Sequence, residues 1–182
     1  ESFPPSSHIT MHFPKTSKTK GKVTLHWMDG GIQPERPEEL GPNELFGDGG
    51  NGTLFIGTKG KMMCGTYGAD PRLLPTSRTS EVKVKQRYKR VPGSAEGHYA
   101  QWVEACIAGY GNMEVSSPFE TAGPLTEALL MANLAIRGHD IKKPKADGKG
   151  FIYPGRNIKL VWDNDNMRVT NLDEVNQYIK RE

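Results

Sequence analysis

The sequence predicts an α+β fold: a mainly antiparallel, open sheet with helices packed on one face. Two observations carry this. Apolar residues alternate with period two in stretches at 8–13, 22–28 and 81–90, the mark of half-buried antiparallel strands, and two short apolar runs flank a turn within 53–66. From 98 to 138 they recur instead at steps of three and four, the mark of helices. A run of strands followed by a run of helices implies an α+β layer, and the βαβαβ alternation of a nucleotide-binding fold is missing.

The elements follow in order. In "HITMHF" at 8–13, Ile9, Met11 and Phe13 share one face and His8, Thr10 and His12 the other. "KVTLHWM" at 22–28 puts Val23, Leu25 and Trp27 inward, across the polar connection "PKTSKTKGK". Residues 29–50 have no periodicity and are rich in Pro, Gly and acid; a loop this long is functional or disordered. "TLFIGTKGKMMCG" then predicts a hairpin, with strands at 53–57 and 61–66 around Thr58-Lys59-Gly60, running into a glycine-shaped corner. "EVKVKQRYKR" at 81–90 has the sharpest alternation, with Val82, Val84 and Tyr88 opposite Lys83, Lys85, Arg87 and Lys89. Its basic face carries no aromatic residue for stacking bases, so it predicts a solvated strand face.

"HYAQWVEACIAGYG" predicts a helix with one stripe of Tyr99, Trp102, Val103, Cys106, Ile107 and Tyr110, stopped by glycines. "FETAGPLTEALLMANLAIRG" predicts a second helix, apolar nearly all round and so the most buried, with Thr121 as a possible cap. "NIKLVWD" at 157–163 predicts a strand. A final short helix begins at Asn171, with Glu174 completing a capping-box-like start and Val175, Tyr178 and Ile179 on its apolar side. Trp102 and Trp162 are expected in the core, and both Cys64 and Cys106 are expected to be buried thiols. The 182 residues suffice for one domain, read as 1–182, and no internal repeat is present.

Composition excludes several functions. A net charge of +3 is too small to argue for nucleic acid. No run of 18 apolar residues exists, so no membrane span is expected. No metal site is expected: His8 and His12 stand about 13 Å apart along one strand, too far to share an ion. There is no G-x-S-x-G, H-E-x-x-H, C-x-x-C or P-loop, and the glycines at 57, 60, 65 and 68 do not fit G-x-G-x-x-G. Motifs alone name no catalytic residue and no bound cofactor. The binding candidates are Tyr67 and Arg72 in the corner, His98 at a helix start and Asp163 at a strand end.

"NGTLFIGTKGKMMCGTYGADPRLLP" resembles a stretch in the C-terminal half of bacterial oxidoreductases of the glucose–fructose oxidoreductase/inositol dehydrogenase (Gfo/Idh/MocA) family. "WMDGGIQPERPEEL", "HYAQWVEACIAG", "SPFETAGPLTEALLMANLAIR" and "WDNDNMRVTN" with "NQYIKRE" continue the resemblance in the same order. It implies a substrate-binding and dimer-forming domain, acting on a sugar, cyclitol or related polyol, beside a Rossmann domain that holds NAD(P). The cofactor fingerprint and the family's Glu-Lys-Pro segment have no counterpart here, and Glu1 falls about where an upstream aspartate–histidine helix would end. The expectation is therefore a chain inactive by itself that partners the dinucleotide domain and self-associates as a homodimer or higher oligomer through the open sheet face. The alternative is a stand-alone, non-catalytic binding or scaffold module. Such proteins occur both in the cytoplasm and exported to the periplasm, and the sequence does not choose.

Overall fold

A computed structural model describes residues 4–93 and 96–180. It shows a mixed α+β chain in which every described strand pairing is antiparallel. In place of one open sheet there are four small ones. The chain divides into two compact units, Glu1–Gly30 with Val91–Glu182, and Gly31–Arg90.

The first unit opens with a two-stranded ribbon, β1 (His8–Phe13) and β2 (Val23–Met28). Ile9 pairs with Trp27, Met11 with Leu25 and Phe13 with Val23, so one face of the ribbon is apolar, as the alternation predicts. Val23, Leu25 and Trp27 are exposed instead of inward, however, because in a two-stranded ribbon no third strand or closed layer covers β2. His8, Thr10, His12, Thr24 and His26 fall on the other face. Gly30, at φ +62°, then turns the chain where a Cβ would collide with the Pro5 carbonyl.

The second unit holds β3 (Thr53–Gly57), β4 (Gly60–Cys64) and β5 (Arg72–Leu74) in the order β3-β4-β5. The expected hairpin is present, with Gly57 opposite Gly60. Met63 and Leu74 on its strands bury against Leu40, with Phe46 and Leu54 packed around them. The long loop 29–50 therefore supplies part of this core. Gly52, at φ +146°, closes the corner where any side chain would strike the Cys64 carbonyl. Residues 82–90 form no strand. Val84 and Tyr88 are exposed, because alternation alone cannot make a strand without a neighbouring edge to pair with.

Back in the first unit, α1 (Gly97–Ala108) and α2 (Phe119–His139) stand where the periodicity places them. Burial differs from expectation. Tyr99, Trp102, Val103 and Ile107 of the α1 stripe are all exposed, so Trp102 is not a core residue, and Cys106 is an exposed thiol while Cys64 is buried. Of the two helices α2 is the more buried, through Ala132, Leu134 and Gly138, but Leu125, Leu129 and Leu130 face solvent. Pro118, not Thr121, precedes its first turn; the Thr121 N–H donates to the Pro118 carbonyl from inside the helix.

Beyond α2 come β6 (Lys143–Pro144) with β7 (Phe151–Ile152), and β8 (Trp162–Asp163) with β9 (Arg168–Val169). The strand expected over 157–163 pairs only at its last two residues. The last element is a 3₁₀ helix, Asp173–Tyr178, with no side-chain cap. Asn171 is occupied elsewhere: its Oδ1 accepts from the Val161 N–H at 2.8 Å and its Nδ2 donates to the Lys159 carbonyl at 2.7 Å. Val175 is fully buried with Leu134, Val169 and Leu172, and Tyr178, Ile179 and Trp162 pack around them. Trp162 is thus at the core edge, donating its Nε1–H to Glu127 at 2.7 Å.

The exposed area is 15135 Å². Even two separately closed units of these sizes would expose only about 10,000 Å² in total by the usual area–mass scaling. Much of the apolar surface that a closed domain buries is therefore on the outside.

Candidate functional site: the cleft between the ribbon and helix α2

The apolar face of the β1–β2 ribbon meets α2 around a depression of about 390 Å³. Its floor is apolar, from Ile9, Met11, Leu129, Ala132 and Ile136, and its polar groups are Ser7, Trp27, Asp29 and Asn133. The alternation that turns Trp27 toward this face does the same for Asp29, two residues on. The Trp27 Nε1–H donates to Asp29 Oδ2 at 2.9 Å, the Ser7 hydroxyl donates to the same oxygen at 2.9 Å, and the Ser7 N–H donates to Oδ1 at 2.6 Å.

These donors favour the carboxylate. The Trp27 bond, then those of Ser7, hold the Asp29 pKa below its ordinary value of 3.8. At neutral pH the group is an anion and cannot act as a general acid. The cleft can therefore hold a ligand that lays apolar C–H surface on the floor and offers hydroxyls to Asp29 and Asn133.

The four residues singled out from sequence have other duties. Tyr67, at φ 57°, is fully exposed in the corner. Arg72 sits on β5 and clamps the loop before β3: its guanidinium donates to the Gly47 carbonyl at 2.6 Å and the Leu45 carbonyl at 3.4 Å, and pairs with Asp70. Both belong to the second unit. His98 lies exposed in the first turn of α1, its ring 3.8 Å from that of Tyr99. Asp163 closes a tight turn, accepting from the N–H groups of Asp165 and Asn166 and from Asn166 Nδ2 at 2.8 Å. Those bonds, led by the Asn166 side chain, lower its pKa. A shallow polar depression beside it, lined by Asn166, Arg168 and Thr170, uses the same groups.

Sequence reading thus placed Trp27 on the correct face but missed Asp29, which it assigned to the loop, and missed Ser7 and Asn133. A Trp-x-Asp spacing at a strand end was the available signal for Asp29. Among the described residues no group of three or more His, Cys, Asp or Glu is placed to hold a metal ion, and no helix is long and apolar enough to cross a membrane. No protein-family model matches the chain, and no curated protein matches it either.

Proposed function

We propose that this chain is the substrate-binding and assembly domain of an NAD(P)-dependent oxidoreductase of Gfo/Idh/MocA type, acting on a sugar, cyclitol or related polyol. The observation that carries the reading is the ordered series of sequence blocks, running from "WMDGG" through "NQYIKRE", that resembles the C-terminal half of those enzymes. The cleft supports it. An ionised carboxylate and an amide rimmed by an indole and aliphatic side chains match a polyhydroxylated ring, with hydroxyls on its edge and C–H groups on its faces. In this reading NAD(P) is held by a dinucleotide-binding domain and carries the hydride, while these residues position the alcohol. The large apolar surface supports self-association.

Isothermal titration with a panel of hexoses, cyclitols and linear polyols tests the substrate half of the reading. Saturable binding of at least one class, with the Trp27 indole resonance shifting, is expected. Titration with NADH, followed by tryptophan quenching, tests the other half. Tight binding of NADH to this chain alone would sink the reading.

A further inference from the structure

The geometry points to a divalent transition-metal site on the polar face of the β1–β2 ribbon, with His8 Nε2 and His26 Nδ1 as its two protein ligands and solvent in the remaining positions. Along one strand His8 and His12 are too far apart for this, but the antiparallel register sets Thr10 opposite His26 and so brings His26 diagonally against His8. The two ring nitrogens are 3.2 Å apart. Two imidazoles that each hold Zn²⁺ at about 2.05 Å, with nitrogens at this separation, subtend about 100° at the metal, close to the tetrahedral angle. The rings are tilted by 51° with centroids 5.4 Å apart, so they are not stacked, and both are open to solvent.

Without metal, one nitrogen of the pair must donate to the other, and the Thr10 hydroxyl also lies 3.1 Å from His26 Nδ1. Two groups therefore compete for a nitrogen that has a single in-plane position. An ion resolves the competition. Each ring moves its proton to its far nitrogen, both near nitrogens present lone pairs, and no proton is lost to solvent from neutral rings. His12 takes no part: its Nδ1 is engaged with Thr24 Oγ1 at 3.3 Å. The site rests only on the ribbon and is independent of the functional reading above.

The test is calorimetric titration of the untagged 182-residue chain with zinc chloride at neutral pH, beside NMR of the histidine ring protons. One Zn²⁺ per chain is expected, with the His8 and His26 rings shifting together. His8→Gln and His26→Gln should each weaken binding at least about tenfold, as loss of a ligand outweighs loss of an outer-shell partner, and His12→Gln should leave it unchanged. Absence of binding by the wild-type chain at millimolar zinc, survival of full affinity in the His8→Gln/His26→Gln double variant, or loss in His12→Gln alone would each overturn the assignment. The ring shifts are read in the wild-type protein, so the result stands even if a variant folds poorly.

Discussion

Asp48 and Thr66, 18 residues apart, are joined twice: Asp48 Oδ2 accepts from the Thr66 hydroxyl at 2.5 Å and from the Thr66 N–H at 3.0 Å. Its other oxygen accepts from the N–H groups of Gly50 and Asn51. One carboxylate thus ties the end of the long loop to the glycine-rich corner after β4. The corner is shaped by its own chain.

The pH dependence of this corner follows. The Thr66 side chain first, then the backbone N–H donors, hold the Asp48 pKa well below 3.8. A lowered folded-state pKa stabilises the folded form above the unfolded value, and that stabilisation disappears as pH falls through the folded one. Amide resonances of Gly50, Asn51 and Thr66 should therefore hold constant from neutral pH down through the ordinary aspartate range near about 4, and change together only at clearly lower pH. In Asp48→Ala they should be displaced at every pH. Unchanged positions in that variant would dismiss the tie.

The small core of the first unit is thin enough for one side chain to matter. Val175→Ala should destabilise it by roughly 2 kcal/mol, from two buried methyl groups and the space they leave. Urea unfolding followed by tryptophan emission reads this, because Trp162 packs on that cluster.

Gly138 tests the same contact from α2. A Cβ there would stand 3.0 Å from Val175 Cγ2. Alanine gains about 1 kcal/mol of helix propensity, but crowding in a packed site costs about 1–3 kcal/mol. Gly138→Ala should therefore be net destabilising, by about 1 kcal/mol. In a Val175→Ala background the crowding is relieved and the same change should become neutral or stabilising. A double-mutant cycle measures that reversal.

The two cysteines should report their unequal burial. A thiol reagent should label one equivalent promptly in the native chain, at Cys106, and the second, Cys64, only after denaturant is added. Two prompt equivalents would contradict the packing around β4.

In the cleft, Trp27→Ala and Asp29→Ala should each abolish measurable polyol binding in calorimetry, the first by removing the aromatic wall and the second by removing the charged acceptor. Asp29→Asn should retain some, since the amide oxygen can still accept from the Ser7 hydroxyl and the Trp27 N–H while its NH₂ faces the Ser7 N–H.

The local elements were legible in the sequence where the pattern needs only neighbours along the chain. The alternation of β1 and β2, the β3–β4 turn and the steps of α1 and α2 all stand as read. What was illegible depended on contacts across the fold. The 81–90 stretch has the alternation but no paired strand, Asn171 bonds residues ten and twelve positions back instead of capping a helix, and the α1 stripe faces outward. The same holds for sites. Trp27 could be assigned a face from spacing, whereas the approach of Ser7 to Asp29 and of His26 to His8 arises only once the strands pair.

The pleat of a single short ribbon assigns its odd-numbered side chains to the cleft and its even-numbered ones to the imidazole pair. A deletion of one residue in the first half of β2 would reverse the facing of the side chains beyond it on that strand, turning His26 toward α2 and Trp27 to the opposite face. Evolution or engineering can therefore lengthen the lysine-bearing tip freely, yet cannot shift the strand by one step without erasing both surfaces together.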